Sequence, residues 1–281
     1  MYLLRRNDTL LRNLSTKGAA DIIRRAGDLL SDSTEGLTFD PVPHKYYLGQ
    51  NEVRSVSSIV ERFAPFDDEA KAAQCAANPK HPLFGHTPEE ILAIWHEKRD
   101  TAAANGTSVH AFGEACFLWM SGREDLIEEA FRDRITHEGL RADLPKEESV
   151  ARWWNDLDWN RFLPVAKETK VVNPVLRYAG TFDLLLYDCF QQLYVIKDYK
   201  TNEDLFKWYG DKMLPPLDCI RANDEGKYTL QQNCYDIQLG NIGLPTGDPA
   251  LVWLKEDGYQ EVPISRMYQK LIHYAINQTL L

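Results

Sequence analysis

From residue 178 to 201 the apolar positions fall into two short β-prone runs, Tyr178-Ala-Gly-Thr-Phe-Asp183-Leu-Leu-Leu-Tyr-Asp188 and Leu193-Tyr-Val-Ile-Lys-Asp198-Tyr-Lys200-Thr201. The polar break at 189–192 between them predicts a hairpin. Upstream, the apolar run 165–172 predicts a strand that Pro174 ends. Downstream, 227–239 has helical spacing, 251–255 and 259–262 read as strands around Asp257-Gly258, and 265–280 predicts a closing helix.

The N-terminal third is patterned differently. Residues 1–30 predict one amphipathic helix, and 39–56 a hairpin turning at Gly49-Gln50-Asn51. Ser55 is placed to cap a short helix over 56–63. After a loop at 79–85, Thr87-Pro88-Glu89-Glu90 is a strong helix start. That helix is predicted over 88–104, with Ile91, Leu92 and Trp95 inward and Asn105-Gly106 as its end. A second helix is predicted from Thr107, and two more over 122–161, split by Asp143-Leu144-Pro145. Trp153, Trp154, Trp159 and Phe162 recur there at core spacing, the alternative being exposed rings on which bases stack.

Composition narrows the class. A chain of 281 residues with 44% hydrophobic and 26% charged residues can bury a full core. No apolar run reaches the roughly 18 residues of a membrane span, so no membrane partner is expected. The five cysteines are scattered, which points to a reducing compartment and to no disulfide framework. The Arg-rich start, with Arg5, Arg6, Arg12, Arg24 and Arg25, admits a mitochondrial presequence. Asp8, Asp21 and Asp28 interrupt that pattern and favour a helix packed on the domain. The net charge of −10 speaks against tight nonspecific duplex binding.

Charged groups on a buried hairpin need a reason. Asp198 and Lys200 are two apart and share a strand face, and in an antiparallel hairpin Asp183 lies across from Asp198. Paired carboxylates make a hard divalent-cation site with the ammonium beside it. The alternative is a surface ion-pair cluster. His110 and Glu114, four residues apart, share a helix face. So do Gln231 and Tyr235.

Gly180-Thr-Phe-Asp183 followed by Val195-Ile-Lys-Asp198-Tyr-Lys200-Thr201 resembles the core of the PD-(D/E)XK nuclease superfamily, in its RecB-type branch. Gly106-Thr-x-x-His110-x-x-x-Glu114 resembles that branch's first motif, and Gln231-x-x-x-Tyr235 its last. The text from His44 to Val56 is similar to the lead-in of mitochondrial genome maintenance exonucleases and of phage RecB-type nucleases. The resemblance implies an α/β (α+β) fold with an αβββαβ core over residues 105–281. Residues 1–104 would be a helical and hairpin elaboration, the whole forming one compact unit.

It further implies a Mg²⁺- or Mn²⁺-dependent DNA exonuclease working on single strands or ends in replication, recombination or repair. Asp183, Asp198, His110 and the Tyr199 carbonyl would be metal ligands, and Lys200 the catalytic cation. Glu114 would orient His110 or face solvent, and Glu168 would reach the site or edge the sheet. Gln231, Tyr235 and Thr201 would contact DNA. No iron–sulfur cluster is expected, since closely spaced cysteines are missing after the core. A recombination or replication protein is the implied partner. The implied compartment is the cytoplasm of a bacterial or phage-infected cell, with the mitochondrial matrix as alternative. Rival readings are a CRISPR-adaptation end-processing nuclease and a non-cleaving DNA-binding subunit. Lys197, where relatives are apolar, predicts a bulged or exposed strand end.

Overall fold

In the computed structural model, which describes residues 2–267 and 269–278, the chain opens with strand β1 (Tyr2–Leu4) and helices α1 (Asp8–Leu14) and α2 (Lys17–Ser33). A meander of β2 (Leu37–Asp40), β3 (Lys45–Leu48) and β4 (Asn51–Ser55) follows, then helices α3 (Val56–Phe63), α4 (Asp68–Ala77) and α5 (Pro88–Met120). A 3-10 turn (Glu124–Leu126), helix α6 (Glu129–Arg132), strand β5 (Leu140–Ala142) and helix α7 (Pro145–Asp156) lead to three strands, β6 (Phe162–Asn173), β7 (Tyr178–Asp188) and β8 (Leu193–Lys200). Helix α8 (Asp224–Asn241), strands β9 (Ala250–Leu254) and β10 (Tyr259–Pro263) and helix α9 (Gln269–Gln278) complete the described chain.

This is an α+β fold built on a mixed eight-stranded sheet. Its order is β10-β9-β8-β7-β4-β3-β2, with β6 on the other edge of β7. β7 and β8 form the antiparallel hairpin that their alternation predicts, from Leu184 opposite Lys197 to Asp188 opposite Leu193. β9 joins β8 in parallel, which requires a crossover, and α8 supplies it. Helices cover both faces. One core layer sets α2, α3, α8 and α9 against Phe182, Leu185 and Ile196. The other sets α5 and α7 against Leu184, Leu186 and Tyr199.

Several elements depart from the sequence reading. α5 runs unbroken through Asn105-Gly106. A helical glycine costs about 1 kcal/mol relative to alanine. The next turns bury Val109, Phe112, Cys116, Trp119 and Met120, and burying such side chains outweighs that cost. The division at 104/105 therefore falls inside one helix. In place of the one helix read over 1–30, residues 2–30 hold a strand and two helices, because Asn7 and Thr16 each turn a side-chain oxygen to a helix start, on the N–H of Leu10 and of Ala19. Of the two helices predicted over 122–161, the second is α7; in place of the first stand a 3-10 turn, α6 and β5, which pairs with β1. Lys197 neither bulges nor exposes the strand: it is buried, and its Nζ donates to Glu261 Oε2 at 2.6 Å. Residues 265–267 are not helical and Gln269–Gln278 are, while positions 268 and 279–280 of that reading lie outside the described residues.

The start at Thr87 is as read, with the reciprocal Thr87–Glu90 capping box and Pro88 in the first turn. Ile91 is buried, while Leu92 and Trp95 are half-buried. Ser55 caps α3 through the Ser58 N–H at 2.9 Å. Trp153, Trp154 and Trp159 are core residues, which leaves them no face for a base. No helix among the described residues is long and apolar enough to cross a membrane.

Candidate metal centre

The site forms where β7 loses a neighbour. Along one edge β7 is paired with β6. Its other edge is divided: β8 takes residues 184–188 and β4 takes Tyr178 and Ala179. Over residues 180–183 the two strands have parted. Continuing the hairpin register would set Asp183 against Asp198. The Asp183 carboxylate occupies the widening gap instead, accepting the Tyr199 N–H at 2.7 Å.

The β6 side is irregular at the same level. Lys167 pairs with Leu184 and Thr169 with Phe182, so Glu168 faces Asp183 with no ladder pair of its own. Its φ is 41°, in the left-handed region where a residue other than glycine is held at a cost of about 1–3 kcal/mol. Side-chain alternation slips here as well. Phe182 packs in one core layer, whereas Leu184 and Leu186 pack in the other.

His110 arrives from α5. The helix can approach β8 closely because position 113 is glycine; a Cβ there would lie 2.6 Å from the Tyr199 ring. His110 Nδ1 then sits 3.3 Å from Asp183 Oδ2. One donor atom each from His110, Glu168 and Asp183 lies within 4.8 Å of the others. Donors on opposite sides of an ion bonded at about 2.1 Å are about 4.2 Å apart, so little movement closes this set on a divalent cation. One imidazole and two carboxylates form a donor set that could hold a divalent metal ion.

The charges sustain one another. Burial works to lower the His110 imidazolium, but the Asp183 charge and hydrogen bond override it and push His110 up to about 9. Burial would raise Asp183, yet His110, Lys200 and the Tyr199 N–H hold it below the usual carboxylate range. Glu168 is pushed up to about 8, by burial and then by the charges of Asp183 and Glu114. Asp198 is also raised, by burial and by Asp183.

Asp198 and Lys200 lie next to this trio. They project toward α8, with Asp198 buried and Lys200 Nζ paired to its carboxylate. Lys200 also lies 4.4 Å over the Tyr228 ring, whose hydroxyl donates to Asn202 Oδ1 at 3.0 Å. Tyr199 projects the other way, and its hydroxyl accepts from Trp154 Nε1 at 2.8 Å. Glu114 is paired with Lys167 Nζ rather than with His110. Thr201 accepts Lys146 Nζ on its carbonyl at 2.6 Å. Gln231 Nε2 donates to Tyr235 Oη at 3.3 Å, and Tyr235 lies against Gly180, where a Cβ would come within 2.6 Å of its ring.

Sequence reasoning passed over Tyr228 and Lys167. Tyr228 had a signal, because it shares the α8 stripe of Gln231 and Tyr235. Lys167 had none beyond its place next to Glu168.

Two clefts meet at Tyr228, beside Lys200. One, of about 790 Å³, is bordered by Lys98, Asn105, Lys146 and Thr201. The other, of about 640 Å³, is bordered by Ser57, Phe66, Lys227 and Gln231.

No protein-family model matches the chain. No curated protein matches it either. Among solved structures, the crystal structure of SSO0001 is similar at 12% identity and a TM-score of 0.33, over 93% of this chain and 84% of that one. A likeness that low carries no argument about fold or function.

Proposed function

We propose that the protein is a divalent-metal-dependent DNA nuclease of the PD-(D/E)XK type, acting on single strands or ends. The observation that carries this is the convergence of His110, Glu168 and Asp183 beside Asp198 and Lys200 where β7 and β8 part. The succession α5, β6, β7, β8, α8, β9 supports the αβββαβ core.

His110, Glu168 and Asp183 would hold the ion, with Asp198 and the Tyr199 carbonyl next to it. A bound Mg²⁺ or Mn²⁺ would supply a water of lowered pKa and offset charge on the scissile phosphate. Lys200 would set its ammonium against the charge that grows there, held in line by Asp198 and the Tyr228 ring. Gln231, Tyr235 and Thr201 would meet the DNA backbone. On this reading the compartment is one where DNA and a replication or recombination partner meet, such as the cytoplasm.

The proton balance gives a first test. His110, at about 9, and Glu168, at about 8, hold protons at neutral pH that an entering ion must displace. Mg²⁺ affinity is therefore expected to rise with pH. The slope should be up to about 100-fold per unit below pH 8, about tenfold per unit between 8 and 9, and flat above. Calorimetric titration from pH 6.5 to 9.5 reads it. An affinity that does not change over that range would show that neither residue gives up a proton when the ion binds.

The reaction itself is tested with labelled DNA in Mg²⁺, Mn²⁺ or EDTA. Linear single strands should be degraded with either metal and spared in EDTA, while covalently closed circles resist. Equal rates on circles would leave an endonuclease, and no metal-dependent cleavage of any substrate would overturn the proposal.

A further inference from the structure

The chain leaves β8 at Lys200 and within a few residues reaches Phe206-Lys207-Trp208-Tyr209, three aromatics interleaved with a lysine. All three rings are exposed: Phe206 at 45%, Trp208 at 42% and Tyr209 at 77%. Exposed rings cost hydration free energy, and three in four consecutive residues are not accounted for by packing.

The segment is nonetheless held in one shape. Asp204 Oδ1 accepts the N–H groups of Phe206 and Lys207 at 3.0 and 3.1 Å. Leu205 is fully buried, and its carbonyl accepts the Glu225 N–H at 3.1 Å. Phe206 meets Trp253 edge-on at 5.7 Å, and Trp253 is the β9 partner of Lys200. Trp208 Nε1 donates to the Asp211 carbonyl at 2.6 Å. Each of the two outer rings has a cation on it: Arg221 at 4.7 Å from Trp208, and Lys207 at 5.3 Å from Tyr209. A ring has two faces, and the cation covers one.

Acids are close by, Glu203 among them, and three are engaged. Asp204 closes its turn, Asp211 faces Lys71 at 3.6 Å, and Asp224 accepts from Asn202 at 2.6 Å. Six residues of chain span at most about 22 Å, which bounds the distance from Phe206 to Lys200. A cavity of about 550 Å³ lined by Asn202, Glu203, Asp204, Lys207 and Asp224 lies on that route.

We propose that Phe206, Trp208 and Tyr209 are a stacking platform for unpaired bases of the DNA strand that reaches the centre, with Lys207 and Arg221 supplying positive charge at its rings. Flat, rigid rings beside cations recognise bases without reading sequence, and they select unpaired strands because paired bases hide their faces. The proposal rests on the nuclease reading and deepens it by assigning its strand preference.

The test is binding in EDTA, where nothing is cut. Fluorescence anisotropy is read with an oligo-dT strand, an abasic strand of equal length and a blunt duplex. Trp208→Ala with Tyr209→Ala is expected to weaken oligo-dT binding roughly tenfold to a hundredfold. Abasic-strand and duplex binding should stay within about twofold, and Trp208→Phe should restore most of the loss although it lacks the indole N–H. Unchanged oligo-dT affinity in the double variant would overturn the platform while leaving the nuclease reading intact. An equal loss on the abasic strand would also overturn it, since the rings would then serve the backbone. A wild-type protein that binds none of the three DNAs in EDTA overturns the platform, and one that also cuts none of them in Mg²⁺ or Mn²⁺ would sink the nuclease reading itself.

Discussion

Lys200→Ala is expected to cut strand cleavage by about 10²–10³-fold without weakening divalent-metal binding. The ammonium sits between the Asp198 carboxylate and the Tyr228 ring, beside the candidate cluster of His110, Glu168 and Asp183 rather than within it. Removing it withdraws a positive charge from the neighbourhood of the ion, so metal affinity should hold or rise. It also leaves Asp198 buried without its partner. Breaking a buried pair on one side costs about 3–5 kcal/mol. Asp198 is already raised by burial and by Asp183, and protonation can recover part of that cost. The variant should therefore melt earlier than wild type, and Mn²⁺ should return more of the lost stability than it adds to wild type. Cleavage assays and melts with and without Mn²⁺ separate the two effects. A variant that cleaves at near wild-type rate would make Lys200 only a partner for Asp198.

Asp183→Asn should have the largest effect of any single change at the centre. Asp183 meets His110, Glu168 and the Tyr199 N–H together. An amide can still accept the Tyr199 N–H, so the parting of β7 and β8 should persist. The charge that attracts a cation and raises His110 is lost. Cleavage should fall by about 10³-fold or more, and metal affinity with it. His110 should titrate below its wild-type value of about 9, which an NMR pH series reads directly. Cleavage by Asp183→Asn within tenfold of wild type would remove Asp183 from the reaction.

Much of this arrangement was legible in the sequence, because side-chain alternation on a hairpin is strict. Asp198 and Lys200 had to share a face and Tyr199 had to oppose them, and residues 184–188 and 193–197 pair in the register that, continued, would set Asp183 level with Asp198. What periodicity could not supply is the place where the ladder fails. Whether β8 stays beside β7 at residues 180–183 depends on β4 taking the end of that β7 edge and on β9 holding the far edge of β8, and those contacts are remote in sequence. Glu168 illustrates the difference. A regular strand leaves it either facing the site or edging the sheet, and a left-handed φ that no local motif announces turns the strand at that point. The break expected at Asn105-Gly106 is the converse case. Local propensity favoured an end there, and the buried half of α5 beyond it prevailed.

The most direct test of the centre is an anomalous difference map from wild-type crystals soaked in Mn²⁺. The expected result is a peak within about 2.0–2.3 Å of a His110 ring nitrogen and of carboxylate oxygens of Glu168 and Asp183. In Asp183→Asn crystals soaked alike, the same position should be bare. Wild-type density that shows no peak among these residues, or manganese bound only elsewhere on the chain, would contradict the account.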